Sequence, residues 1–382
     1  MRIGLFTDAY FPIIGGVSVS VRTLRDELEK FGHEVFIITN NHDDAVEEKN
    51  VVRAGGHKLP MKVMGEFRVG KVTRAKVKEI ARLNLDVIHC HTEFTMGRLG
   101  RKVAKKYHLP IVHTYHTMYE DYIHFISKTF ARPLRALSKR FSRNFANSVD
   151  EVVFPTIKVK KTFDEYGFKK ASHIIPTGIY LERFSKSNFN QYDIIQLKEK
   201  LGLRHDDFVM LFLGRISREK SIEDLLREFA KIKKDKVKLL IVGGGPDSEY
   251  FKKITRELGI ENRTIFTGMV DPIGVGKYYH LSDLFVNFSV TETQGLTYYE
   301  ALASCVPLIV KYDDNLEGVI SNGVNGFSFT DNNEFVGLVE KVISDNKLHE
   351  KLVRNSCSSV EKFSAVNYAK SIEVIYKKLY KE

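Results

Sequence analysis

The sequence predicts an α/β protein built from two doubly wound, Rossmann-like domains facing each other across a cleft. Three observations predict it. Short, continuously apolar segments alternate with amphipathic helical ones. The alternation breaks once, after about residue 175, and then restarts. The chain has 382 residues, which suits two ordinary domains better than one. An apolar fraction of 43% is that of a globular chain and excludes a disordered one. No apolar run approaches the roughly 18–20 residues that span a bilayer, and MRIGLFTDAYFP reads as strand and loop rather than a secretory leader.

Each element follows from its pattern. Residues 2–7 (RIGLFT) form a buried strand, followed by a glycine-containing loop, DAYFPIIGGV. The run SVSVRTLRDELEKF places Val21, Leu24 and Leu28 on one helical face, and Gly32 closes it as a C-terminal cap. HEVFIIT, DVIHCHT and PIVHTYH are further strands. After the polar interruption at 175–206, FVMLFLG is a strand. SIEDLLREFAKI is a helix with Ser221 and Asp224 at capping-box spacing, and VKLLIVGGG, RTIFTG and DLFVNFS are strands. The expected domains are 1–176, 177–365 and a terminal helix, 366–382, packing back on the first.

In doubly wound sheets ligands sit beyond the carboxyl ends of the strands. The chemically interesting residues stand there: Gly15 and Gly16, His91, His116, Arg215, Gly243 to Gly245 and Glu292. Taken alone, GGV reads equally as a tight turn or as a loop letting backbone N–H groups approach an anion at a helix start. For His89, His91, His113 and His116 no acidic ligand is placed at a spacing that strengthens a metal reading, so no metal site is predicted. His116, entering the polar loop HTYHTMYEDY, suits a hydrogen bond to a sugar hydroxyl or support of developing charge. Arg215 and Lys220, in GRISREK, read as a solvated basic turn or as a clamp on a diphosphate. The three cysteines, Cys90, Cys305 and Cys357, show no C-x-x-C spacing; no disulfide framework is expected, and a reducing cytosol is.

A net charge of +11 asks for an anionic partner, so the acids in TETQGLTYYEALA need a reason. Beside a diphosphate, a carboxylate is useful only if it grips neutral diols, since one carboxylate accepts from two hydroxyls. A nucleotide-sugar has such diols on ribose and hexose. With the diphosphate at the helix start around Gln294, Gly295 and Leu296, Glu292 reaches one sugar and Glu300, eight residues on, the other.

As a set, these residues resemble the retaining GT-B glycosyltransferases of family 4. The resemblance runs through the GGV loop, His116, IPTGI, GRISREKS, VGGGP, FTGMV and the E-x7-E element. It implies a nucleotide-sugar donor on the second domain and an acceptor on the first, with no metal or other cofactor in the site. By position it implies Arg215 and Lys220 on the diphosphate, Glu300 on the ribose, and Val270 at the base through its backbone. Glu292 and the Gln294–Gly295–Leu296 backbone take the transferred sugar, His116 stands near the reacting carbon, and Gly16 belongs to the donor site. HTYHTMYEDY and TETQGLTYYEALA are similar to those of bacterial 1,2-diacylglycerol 3-α-glucosyltransferases, implying UDP-glucose, a diacylglycerol acceptor and a peripheral place on the inner face of the cell membrane.

One feature points to lipid independently. FISKTFARPLRALSKRFSRNF places Ile126, Phe130, Leu134, Leu137, Phe141 and Phe145 at 4-4-3-4-4 spacing. Six basic residues (Lys128, Arg132, Arg135, Lys139, Arg140 and Arg143) and no acid fall in the same stretch. Such a helix suits an anionic lipid surface; packing its stripe on the sheet is the competing reading. Met61, Val63, Met64 and Phe67, in a second basic stretch, face the same choice. Other acceptors (a phosphoinositol, another glycolipid, a soluble sugar), a nucleotide-sugar epimerase and a non-catalytic binder are the alternatives. Nucleic acid is not an expected partner, because the basic residues do not alternate with exposed aromatics.

Overall fold

The structure, a computed structural model, describes residues 1–58, 68–118, 131–271 and 273–381. The chain divides into two units, one of Met1–Gly178 with Ala365–Glu382 and one of Ile179–Ser364.

In the first unit the parallel strands are β1 (Arg2–Phe6), β2 (Glu34–Thr39), β3 (Val51–Arg53), β6 (Val87–Cys90), β7 (Ile111–Thr114), β8 (Glu151–Phe154) and β9 (His173–Ile174). They form one sheet in the order β3-β2-β1-β6-β7-β8-β9; β4 (His57–Lys58) and β5 (Arg68–Val69) make a separate antiparallel ribbon. Both sheet faces are buried, which is why the strands read as unbroken apolar runs. Val35 and Ile37 of β2 enter one core cluster, and Phe36 and Ile38 the other. Val21, Leu24 and Leu28 of the helix Gly16–Lys30 are fully buried and share their cluster with Tyr368, Ile372, Ile375 and Tyr376 of the terminal helix Ala365–Lys381. Gly32 has φ 85° and ends the first helix, with His33 N–H donating to the Leu28 carbonyl at 3.1 Å.

The second unit has β10 (Phe208–Leu213), β11 (Val237–Val242), β12 (Thr264–Gly268), β13 (Leu284–Asn287), β14 (Leu308–Lys311) and β15 (Gly326–Phe329). Its order is β12-β11-β10-β13-β14-β15, all parallel. Met210 and Phe212 face one core cluster, Val209 and Leu211 the other.

Two expectations are corrected. Ser221 does not build a capping box. It follows a short 3-10 turn, Arg218–Lys220, has φ 51°, and its side chain makes no cap bond to the helix Ile222–Lys231. The left-handed backbone that ends the turn takes the hydroxyl out of capping geometry. Cys305 and Cys357, 52 residues apart, are paired as a disulfide with Cα atoms 4.6 Å apart, while Cys90 is free and buried. The pairing joins the end of the helix Leu296–Ala303 to the helix Asn346–Ser359, and sequence spacing carries no trace of that contact.

Cys305 has φ 62°, with its N–H on the Leu302 carbonyl and the Val306 N–H on the Ala301 carbonyl. This is the helix-ending position glycine usually takes, where a side chain costs about 1 kcal/mol. Cys305→Gly should therefore melt higher than the wild type in reductant, by about 1 kcal/mol. Without reductant it should melt lower, having lost a cross-link worth about 2–4 kcal/mol. Calorimetric melting of both proteins with and without reductant checks both signs.

Candidate active site

In the second unit the strand order reverses between β10 and β13, which are hydrogen-bonded neighbours. Beyond the carboxyl ends of two such strands lies the crevice where doubly wound sheets take ligands. The loop after β10 carries Arg215 and Lys220, and the loop after β13 carries Glu292. The two loops are tied together. Thr291 Oγ1 donates to the Glu219 carbonyl at 3.1 Å, and Lys220 Nζ donates to Glu292 Oε1 at 2.6 Å. Lys220 and Glu292 are each less than one-fifth exposed. Buried Asn315 donates to the Glu292 carbonyl at 3.4 Å, steadying the carboxylate from its own main chain. Arg215 stands exposed at the start of the same β10 loop.

The glycines set how closely these loops approach. A Cβ on Gly243 would fall 2.0 Å from the Gly214 carbonyl oxygen, and one on Gly245 would fall 2.1 Å from that of Ile216. Ile216 N–H donates to the Gly244 carbonyl at 3.0 Å, so the VGGGP run is the floor on which the Arg215–Lys220 loop lies. Gly295, with φ 77°, precedes the helix Leu296–Ala303, and a Cβ there would meet the Tyr298 ring at 2.4 Å. The Leu296 and Thr297 N–H groups occupy the first turn, where a helix has no carbonyl to bond them and its dipole favours an anion. Gln294 is buried, its side chain bonded to the Tyr299 hydroxyl, so its backbone is what it offers. Val270 lies half-buried two residues past β12.

Glu300 is the fifth residue of that helix. The buried Tyr279 hydroxyl donates to its Oε2 at 2.7 Å. Burial raises the Glu300 pKa, and the Tyr279 bond works against that rise. Nothing in the sequence pointed to Tyr279, which sits in a separate short helix, Gly276–His280.

In the first unit β1 and β6 are the neighbours at the reversal. His91 follows β6, and its Nδ1 lies 2.9 Å from His116 Nε2, the rings stacked at 5.2 Å. His89 contacts the Tyr376 hydroxyl at 2.5 Å and Thr114 Oγ1 at 2.7 Å, while His113 Nδ1 bonds the Cys90 carbonyl. Burial pushes His89 and His91 well below the usual 6.5 and His116 down to about 3. His116 is therefore a neutral imidazole at working pH, a hydrogen-bond partner rather than a cation. Added Cβ atoms on Gly15 and Gly16 would meet nothing within 4 Å, and Gly15 is extended at φ −171°. Their smallness thus serves no packing need of the described fold. Asp8, missed in the sequence, is buried after β1. It accepts from Thr92 Oγ1, Asn40 Nδ2 and the Met96 N–H at the start of the helix Thr95–Tyr107, and burial raises it to about 6.

The basic segment is a helix, Ala131–Ala146. Arg132, Arg135, Lys139 and Arg140 are exposed and Leu134 is half-buried. Its apolar stripe diverges: Phe145 is 2% exposed, Phe141 37% and Leu137 64%. Phe141 stacks on Phe94, Lys139 sits over the Tyr166 ring, and Arg143 donates to the Tyr166 carbonyl at 3.1 Å. Lys128, Phe130, Ile126, Met61, Val63, Met64 and Phe67 lie outside the described residues. Among the described residues no group of His, Cys, Asp and Glu is arranged to hold a metal, and no helix is long and apolar enough to cross a membrane.

Comparison with known proteins agrees with this architecture. The profile for Glycosyltransferase Family 4 matches residues 14–183, and that for Glycosyl transferases group 1 matches 193–358. The alpha-monoglucosyldiacylglycerol synthase of Acholeplasma laidlawii is 37% identical over 98% of this chain and 96% of its own length. The enzyme of that name from Streptococcus pneumoniae is 38% identical, over 98% and 85%. Among solved structures, Anabaena HepE in complex with UDP matches with a TM-score of 0.78 at 17% identity, over 99% of this chain and all of that one. Two Rossmann-like units with loops converging beyond β10 and β13 define a glycosyltransferase of the GT-B fold class. The chain belongs to glycosyltransferase family 4.

Gly295→Ala should raise the donor KM by about tenfold or more, since the backbone it forces at the helix start is the proposed anion seat. Initial-rate kinetics check this. Acid should destabilise the first unit. His89, His91 and His116 bind protons in the unfolded chain near 6.5 but are held neutral when folded. Stability is therefore lost as pH falls through that range. Asp8, with its pKa raised, acts in the opposite direction, one group against three. Hydrogen exchange at pH 7 and about pH 5 should show protection falling in β6 and β7.

Proposed function

We propose that the protein is a retaining glucosyltransferase that moves glucose from UDP-glucose to 1,2-diacylglycerol at an anionic membrane surface, giving α-glucosyl-diacylglycerol. The observation that carries the reading is the Lys220–Glu292 contact at 2.6 Å, which brings a cation for the diphosphate and a carboxylate for the sugar to one point. The names of the two relatives, both monoglucosyldiacylglycerol synthases, support the glucose and the acceptor.

In this reading the diphosphate takes Lys220 and exposed Arg215 and rests on the first-turn amides of Leu296 and Thr297. Glu292, released from Lys220, accepts from hexose hydroxyls beside the backbone of Gln294 and Gly295, while Glu300 takes the ribose and Val270 meets the base. Charge grows on the leaving diphosphate as the glycosidic bond breaks, and the two cations and the helix start stabilise it most at that point. The acceptor hydroxyl attacks from the face the diphosphate leaves, which retains the configuration, and the departing phosphate takes its proton. His116, neutral, hydrogen-bonds the sugar near the reacting carbon. The first unit supplies the acceptor side. Arg132, Arg135, Lys139 and Arg140 attract anionic headgroups while Leu137 and Phe141 enter the interface, a peripheral attachment on the inner face of the cell membrane.

Labelled glucose should appear on diacylglycerol in mixed micelles, and Glu292→Gln should lower kcat by about 100-fold or more. Transfer to a soluble sugar alone would replace the acceptor, and a fully active Glu292→Gln would remove that residue from the chemistry. Replacing Leu137 and Phe141 by serine should abolish flotation with vesicles containing phosphatidylglycerol while UDP binding persists. Flotation equal to the wild type would assign the helix a purely structural role.

A further inference from the structure

We propose that Tyr279 is a positioning residue for donor recognition: its hydroxyl holds Glu300 Oε2 so that Oε1 alone is presented to the ribose hydroxyls of the nucleotide. The proposal rests on the reading of Glu300 as the ribose ligand and adds what aims it.

Tyr279 is fully buried, its ring edge-on to Phe184 at 6.0 Å and beside Phe285 at 6.1 Å. Its hydroxyl lies 2.7 Å from Glu300 Oε2 and 3.4 Å from the Thr297 carbonyl, so ring and proton are both fixed. Among the described residues nothing else is bonded to the Glu300 carboxylate, and Oε1 has no partner. A glutamate carboxylate otherwise turns about its last torsion with little preference. The phenol removes that freedom and leaves one oxygen, with two lone pairs, for a diol. A carboxylate that could accept from two hydroxyls with either oxygen thus has one oxygen committed to the protein.

The phenol also sets the charge. Burial keeps Tyr279 protonated far above its usual 10, so it donates at every working pH. That donation favours the ionised Glu300 against the burial that raises its pKa. The ionised form is the stronger acceptor for the ribose hydroxyls. Specificity for ribose over deoxyribose therefore depends on a residue that does not touch the nucleotide.

The test is calorimetric binding of UDP and 2′,3′-dideoxy-UDP to the wild type, Tyr279→Phe and Glu300→Gln. The wild type should favour UDP by about 30-fold, the worth of hydrogen bonds to a charged group. Tyr279→Phe should lose about tenfold for UDP and under twofold for the dideoxy compound, which also shows that the variant is folded. Its UDP binding should fail at higher pH on acidification than that of the wild type, because burial then acts on Glu300 unopposed. Equal losses for both ligands, or none for either, would overturn the positioning role. A Glu300→Gln protein that keeps the full preference for UDP would overturn the ribose assignment beneath it, whatever Tyr279→Phe does.

Discussion

Lys220 and Glu292 meet because β10 and β13 are neighbours at the point where the strand order of the second sheet reverses. Most of what makes the site chemical depends on that juxtaposition. Apart, the lysine is one of many cations on a basic chain, and the glutamate is an acid before a helix. Together they form a pair that an arriving diphosphate can divide. In the proposed reading the ligand takes the cation, and the carboxylate turns to neutral hydroxyls that a diphosphate does not compete for. Neither charge is left uncompensated in a largely enclosed place, before or after binding.

The surrounding backbone is built to allow it. The glycine run after β11 admits the Arg215–Lys220 loop at carbonyl distance, where any side chain would collide. The left-handed turn at Gly295 starts the helix that offers its amides on one side and Glu300 on the other. At the far end of that helix Cys305 takes another left-handed residue and a bond to Cys357. The nine residues between are thus anchored at both ends. The first unit uses the same sheet logic for a different purpose: buried, neutral His91 beyond β6 gives His116, beyond β7, a fixed hydrogen-bonding partner without charge.

The fold was largely legible because both faces of each parallel sheet are covered. That writes continuous apolar strands such as EVFIIT and VKLLIV, and period 3.6 in the helices that cover them. The placement of the candidate side chains was legible where they follow a strand, as Arg215, Lys220 and Glu292 do, or sit on the helix after it, as Glu300 does. What escaped depends on contacts between separate elements. Tyr279 reaches Glu300 from another helix, Asn315 reaches the Glu292 main chain from beyond β14, and Cys305 reaches Cys357 across 52 residues. Ser221 failed for a local reason: capping-box spacing says nothing of a left-handed turn residue.

A crystal structure of the enzyme with UDP-glucose is the most direct measurement. The account predicts diphosphate oxygens bonded to Lys220, Arg215 and the amides at the start of the helix Leu296–Ala303, with Glu292 turned from Lys220 to the hexose hydroxyls. A diphosphate bound elsewhere, with the Lys220–Glu292 contact unchanged, would contradict it.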